Sequence, residues 1–166
     1  MCLMCIVCFS SHAFENWINT LTTYKEVGRA KFSVFFFDIY QSRLLTPTGI
    51  FQFDKKPYLF EITYLKDISS TDLIERTIEQ WEHLNLNKES YQKYAAMLGK
   101  LWPNIVASDK LAIHINDKQS DFYFNNVFIG AVNDGEFGDL FLSIWLSPDT
   151  SQPELRNKLL GVNTNE

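Results

Sequence analysis

The chain of 166 residues is 46% hydrophobic and 15% aromatic, which is enough apolar surface for one domain to bury a core without disulfide support. Its net charge is -5 and it contains no run of lysine or arginine, so the basic surface expected of a nucleic-acid binder is absent. The same charge disfavours attraction to an anionic membrane.

All three cysteines fall in the first eight residues, MCLMCIVC. An apolar run is a poor setting for metal ligands, and this one is too short to span a membrane, which takes about 20 apolar residues. We interpret residues 1–13 as a signal peptide with Ser11 and Ala13 at its cleavage site, followed by a single domain over residues 14–166. Export would make the protein periplasmic or secreted. No basic n-region precedes the run, so either the true start lies upstream or the segment is not a signal.

The first part of the remaining chain has the patterns of β-strands. TLTTYKEVGRAKFSV predicts a strand, a turn at Gly28, and a second strand that continues to about Leu44. LTPTG is typical of a turn. PYLFEITYLKDI alternates with a period of two, which predicts a strand with one buried face. The residues of that face are Tyr58, Phe60, Ile62 and Tyr64.

Two amphipathic helices are predicted next. In SSTDLIERTIEQWEHLNLN, apolar residues recur at helical spacing after a start that is typical of an N-cap. KESYQKYAAMLGKLW repeats the helical pattern and ends before Pro103.

A β-meander follows in KLAIHIND, SDFYFNN and VFIGAV, with turns at Asp117-Lys118 and Asn125-Asn126. Because strands and helices are segregated along the chain, this order predicts an α+β fold with a mainly antiparallel sheet.

The C-terminal part predicts two further helices. NDGEFGDLFLSIWL is expected to start at a cap formed by Asn133 or Asp134. SPDTSQPELRNKLLG is expected to begin with a capping box from Ser151 to Glu154 and to stop at Gly161.

Two carboxylates stand out because each lies within an aromatic strand: Asp38 in KFSVFFFDIYQ and Glu61 in PYLFEITYLKDI. Two close carboxylates in a dry site could act as acid and base, since one pKa would be raised. The favoured alternative is that each faces solvent or meets a cation on a neighbouring strand. His83 and His114 have no further ligand at metal spacing, and nucleotide-binding motifs are lacking, so we predict neither a metal nor a cofactor.

Three segments, VGRAKFSVFFFDIYQSRLLTPTG, LFEITYLKDISSTDLIERTIEQW and IWLSPDTSQPELRNKLLG, together resemble the bacterial chalcone isomerase-like family. The resemblance extends from about Tyr24 to Gly161. It implies an antiparallel sheet with helices layered on one face, and a cleft for a flat, apolar ligand between the two.

The resemblance also implies candidate site residues. Plant chalcone isomerases bind a phenolate with an arginine, order a water with a strand threonine and a tyrosine, and contact substrate with an asparagine and a late hydroxyl. The threonine corresponds to Ser33, the late hydroxyl to Ser147, and the nearest arginine is Arg29. The tyrosine falls near Ser69 and the asparagine near Arg76, so both are missing.

Without those two donors, chalcone cyclisation is disfavoured. The family also has non-catalytic members that bind fatty acids, so the resemblance implies a non-catalytic binder of a small lipophilic ligand, contacted by Arg29, Ser33 and Ser147. One alternative is an isomerase or lyase that uses Asp38 or Glu61 on an unknown small substrate. Another is a protein-interaction module with a filled cleft. Alternation along one strand would place Ser33 in the cleft and Asp38 on the opposite face.

Overall fold

The computed structural model describes residue 17 and residues 19–162 and contains one β-sheet covered by helices. The strands are β1 (Lys25–Val34), β2 (Phe37–Thr46), β3 (Tyr58–Tyr64), β4 (Lys110–Ile115), β5 (Ser120–Phe124) and β6 (Val127–Val132). The helices are α1 (Ser70–His83), α2 (Lys88–Leu101), α3 (Phe137–Leu146) and α4 (Pro153–Leu159). The predicted signal peptide, residues 1–13, lies outside the described residues. Within the described part, no helix is long and apolar enough to cross a membrane.

The sheet is a six-stranded meander in the order β1-β2-β3-β4-β5-β6, with every neighbouring pair antiparallel. One face packs against the helices and forms the main core. On β3, the predicted alternation is confirmed, since Tyr58, Phe60, Ile62 and Tyr64 are all buried in that core. The α+β fold with an antiparallel sheet is therefore confirmed.

The first hairpin differs from the prediction at Gly28. β1 passes straight through this residue, and the chain reverses at Phe35–Phe36 instead. Gly28 lies where α4 ends against β1, and a Cβ added there would collide with the carbonyl oxygens of Lys158 and Leu159. The glycine is thus required by the close approach of two backbones, which a sequence pattern cannot distinguish from a turn.

A smaller apolar cluster covers part of the opposite sheet face. Residues 19–23 are helical, where the sequence predicted a strand. Trp17 stacks on Tyr123 with ring centroids 3.8 Å apart and donates its indole N–H to Asn126. Leu45 and Leu59 are buried in this cluster. This cluster explains why Leu59 is buried on the face of β3 that also carries Glu61 and Thr63.

Short sequence patterns predicted one β-turn and the end of one helix correctly. Asn125 and Asn126 have φ values of 47° and 68°, as their turn requires, and Gly161 ends α4 with φ of 67°. The predicted capping box at Ser151 is wrong, because Gln152 precedes α4 and the Ser151 hydroxyl donates instead to Gln80 at 2.7 Å. A long-range partner has replaced the local one.

Asp134 ties the start of α3 to α2. Its carboxylate accepts hydrogen bonds from the Tyr94 hydroxyl at 2.7 Å, the Lys93 ammonium at 2.9 Å and the Glu136 backbone N–H at 3.0 Å. These donors, Tyr94 first, lower the pKa of Asp134 from 3.8 to about 2.

Acid should therefore weaken the fold through Asp134. A lowered pKa in the folded state stabilises the protein above the unfolded pKa of about 4, and this contribution is lost as the pH falls towards 2. We expect the urea midpoint to fall less steeply over this range in Asp134→Asn, which cannot titrate there. Urea titrations between pH 2 and pH 6 measure this, and equal slopes in the two proteins would contradict the assignment.

Candidate ligand-binding site

A cavity of about 670 Å³ lies between the helix-covered face of the sheet and helices α1 and α3. Its sheet wall comprises Phe32, Val34, Ile39, Tyr40, Ile62, Tyr64 and Leu111. Its helix wall includes Leu73, Thr77, Trp102, Phe141, Ile144 and Trp145. The cavity occupies the position of the cleft that the family resemblance implies.

The interior of the cavity carries neutral polar groups. The Trp145 indole donates to the Tyr40 hydroxyl at 2.9 Å, so the phenol keeps its own hydrogen for another acceptor. Burial raises the pKa of Tyr40 to about 12 and also raises that of Tyr64, so both phenols are protonated at neutral pH. The Trp102 indole N–H is buried and has no partner within the described residues. These groups could donate hydrogen bonds to an uncharged oxygen of a ligand.

Charged lining residues lie at the exposed rim. They are Lys66, Asp67, Asp72, Arg76 and Glu79. Arg76, the position where the resemblance placed an asparagine, is paired with Glu79 at 2.6 Å. Lys66 forms no ion pair with any other described residue, which makes it the rim cation most available to a ligand carboxylate.

Ser33 and Asp38 do not lie on opposite faces of the sheet, so that prediction is wrong. The Ser33 hydroxyl donates to one Asp38 oxygen at 2.6 Å, and the Lys31 ammonium donates to the other at 2.7 Å. The prediction assumed one continuous strand, but the chain reverses between the two residues. A register shift after Phe32 then pairs Ser33 with Asp38. Ser33 consequently does not line the 670 Å³ cavity.

The other two predicted ligand contacts also lie away from this cavity. Arg29 pairs with Glu26 through two hydrogen bonds of 2.6 Å, and its side chain is 73% exposed. Ser147 lines a separate cavity of about 210 Å³ at the end of α3, together with Phe51 and Phe53. The structure therefore brings none of the three together in the 670 Å³ cavity, and the roles of Arg29, Ser33 and Ser147 as ligand contacts stay predictions.

Glu61 lies on the sheet face that points away from the cavity. Its carboxylate accepts from Arg43 at 2.8 Å and lies 3.4 Å from the Lys110 ammonium, while Asp38 is bound by Lys31. The favoured interpretation of both carboxylates as members of cross-strand ion pairs is confirmed. Neither carboxylate lines the cavity as an acid or base.

The sequence had identified several residues of the cavity wall, but as core residues. Tyr64 belongs to the buried alternation of β3, and Trp145 belongs to the apolar pattern of α3. Alternation and helical spacing show that a side chain is buried, but they do not show whether it meets another side chain or an empty volume. Tyr40 and Trp102 were missed as site residues for the same reason.

Comparisons with known proteins agree with this fold. The sequence profile of a family described as chalcone isomerase-like matches residues 27–161. An uncharacterised protein of Haemophilus influenzae is 25% identical over 156 residues, which are 94% of this chain and 74% of that protein. A fatty-acid binding protein of Arabidopsis thaliana superposes with a TM-score of 0.65 at 8% identity, covering 84% of this chain and 87% of that chain. At this identity, the structural likeness shows a shared fold.

Proposed function

The chain belongs to the chalcone isomerase-like family, and we propose that it is a non-catalytic member that binds a small lipophilic molecule, such as a fatty acid. The observation that carries this proposal is the cavity of about 670 Å³, whose charged lining residues all lie exposed at its rim. Small-molecule sites typically measure about 300–1,000 Å³ and are mostly apolar. The fatty-acid binding protein with the same fold is consistent with such a ligand.

The distribution of polar groups suggests how a fatty acid would lie. Its carboxylate would stay at the rim, near Lys66, because burying an ionised group without a cation is costly. Its chain would lie against apolar side chains such as Phe141 and Ile144. The donors of Tyr64 and Trp102 would favour a ligand that also carries an uncharged oxygen along its length.

The two alternative functions have less support. An acid or base mechanism through Asp38 or Glu61 would need a carboxylate facing the ligand, and both face away from the cavity. An interaction module with a filled cleft would need side chains where the cavity is open. We also propose export to the periplasm or beyond, which N-terminal sequencing of protein from host cells would test.

Binding of cis-parinaric acid, a fluorescent fatty acid, tests the proposed function. We expect its fluorescence to rise on binding, with energy transfer from Trp102 and Trp145 in the cavity wall. Ile144→Phe places a larger side chain in the cavity and should weaken binding severalfold. Titration followed by displacement with palmitic acid measures both effects.

Leu142→Phe is the matched control, because Leu142 is a buried residue of the same helix that lines the separate 210 Å³ cavity. We expect this variant to bind the probe like the wild type. Equal weakening by both substitutions would contradict the site, and failure of the wild type to bind any fatty acid would contradict the function.

A further inference from the structure

Three consecutive phenylalanines form the end of the β1-β2 hairpin. Phe35, Phe36 and Phe37 are 92%, 97% and 72% exposed, and we call them the aromatic tip. Phenylalanine side chains bury about 150–250 Å² each when covered, so the tip presents roughly 500 Å² of apolar surface. An exposed patch of this size usually marks an interaction site.

The tip is unfavourable for the folded protein in isolation. Val34 pairs with Phe37, so Phe35 and Phe36 are the two turn residues of the hairpin. Phe35 has φ of 55°, a left-handed conformation in which asparagine or glycine is strongly preferred. A bulky apolar residue at this position gains no packing that would offset its strain, which favours a functional role.

The aromatic tip continues into the mouth of the 670 Å³ cavity. Val34, which is 42% exposed, directly precedes the tip, and Ile39 follows it after Asp38; both Val34 and Ile39 line the cavity. Leu65, 36% exposed, is hydrogen-bonded through its backbone to Ile39 and extends the same apolar surface. An apolar path therefore leads from the end of the hairpin to the cavity.

Charge and position indicate a lipid bilayer as the partner. The charges nearest the tip in sequence, Lys31 and Asp38, form an ion pair at 2.7 Å, so the hairpin itself brings no unpaired charge to the headgroups. The net charge of -5 disfavours anionic surfaces, which leaves a zwitterionic one. A protein bound at the tip would cover Val34 and Ile39 and obstruct the mouth of the cavity. A bilayer at the same place would leave the mouth facing the apolar phase in which lipophilic molecules dissolve.

We propose that the aromatic tip inserts into the interface of a zwitterionic bilayer and holds the cavity mouth against it. The inference rests on the proposed function for what passes through the mouth. Vesicle binding and ligand binding are measured separately, so the two ideas can fail separately.

Flotation with phosphatidylcholine vesicles tests the insertion. We expect the wild type to float with the vesicles and Phe35→Asn/Phe36→Asn to partition at least about tenfold more weakly, since two apolar side chains are lost from the interface. Asparagine accepts the left-handed conformation at residue 35, so this variant should melt no lower than the wild type. Replacing a third of the phosphatidylcholine with phosphatidylglycerol at low salt should weaken wild-type binding.

Ile50→Asn is the matched control, because Ile50 is 65% exposed in the loop at the opposite end of β2. This variant should float like the wild type. A wild type that stays unbound, or a double variant that floats equally well, would overturn the proposal. The proposal would also be overturned if the wild type were a dimer in solution and the double variant a monomer that still binds vesicles, because the tip would then be a contact between two copies of the chain. The double variant should still bind cis-parinaric acid in solution. A wild type that floats with the vesicles but does not bind this probe would count against the cavity and not against the tip.

Discussion

Gly28→Ala is expected to lower the free energy of unfolding by about 3 kcal/mol, the upper range for forcing one methyl group into a packed site. The added Cβ would meet the carbonyl oxygens of Lys158 and Leu159, which are backbone atoms and cannot rotate away. To make room, α4 must move off β1, and Leu155 and Leu159 would lose part of their burial in the main core. Urea denaturation followed by circular dichroism measures the loss.

Gly99→Ala provides a control with the same chemical change. Gly99 lies within α2, and a Cβ added there meets no atom within 4 Å. We expect this variant to be more stable than the wild type by about 0.5–1 kcal/mol, because alanine loses less backbone entropy in a helix. A Gly28→Ala protein as stable as the wild type would show that α4 does not lie as close to β1 as the structure has it.

Gly28 also shows which kind of contact in this fold a sequence pattern cannot predict. The period of two in β3, the helical spacing in α1 and the Asn125-Asn126 turn were predicted correctly, because each depends on residues near one another in the chain. Gly28 was assigned to a turn because its actual reason, the crossing of α4, lies about 130 residues away in sequence. Local patterns contain no information about that contact.

The candidate site was predictable only in outline. The family resemblance implied a cleft between sheet and helices, and the structure contains a cavity there. The prediction that Ser33 and Asp38 take opposite faces was wrong, because a hairpin turn and a register shift decide which face a strand residue takes. The aromatic tip was visible in the sequence as part of a strand, but its exposure became evident only once the turn was placed at Phe35–Phe36.

Removal of Arg43 is the second change with a large expected effect, because it would leave a buried carboxylate without its main cation. Only 4% of the Glu61 side chain is exposed, and one of its oxygens has no hydrogen-bond partner within the described residues. Arg43 supplies the shorter contact at 2.8 Å, while Lys110 remains at 3.4 Å. Arg43→Met should therefore lower the free energy of unfolding by about 3 kcal/mol, the lower range for breaking a buried pair.

The double variant Arg43→Met/Glu61→Met should recover most of that loss. Well-packed apolar residues often replace a buried ion pair at little cost, and Lys110, whose side chain is 31% exposed, can reach water when its partner is gone. A double-mutant cycle by urea denaturation should thus give a coupling energy of at least about 1.5 kcal/mol.

Arg76→Met is the control for the same loss of a guanidinium, because the Arg76–Glu79 pair is exposed on α1. We expect this variant to lose less than about 0.5 kcal/mol, since exposed pairs contribute little. If Arg43→Met were equally mild, the burial of Glu61 would not depend on its ion pair with Arg43. The carboxylate that appeared in the sequence as a possible acid or base would then need a partner other than Arg43 to account for its burial on this face of the sheet.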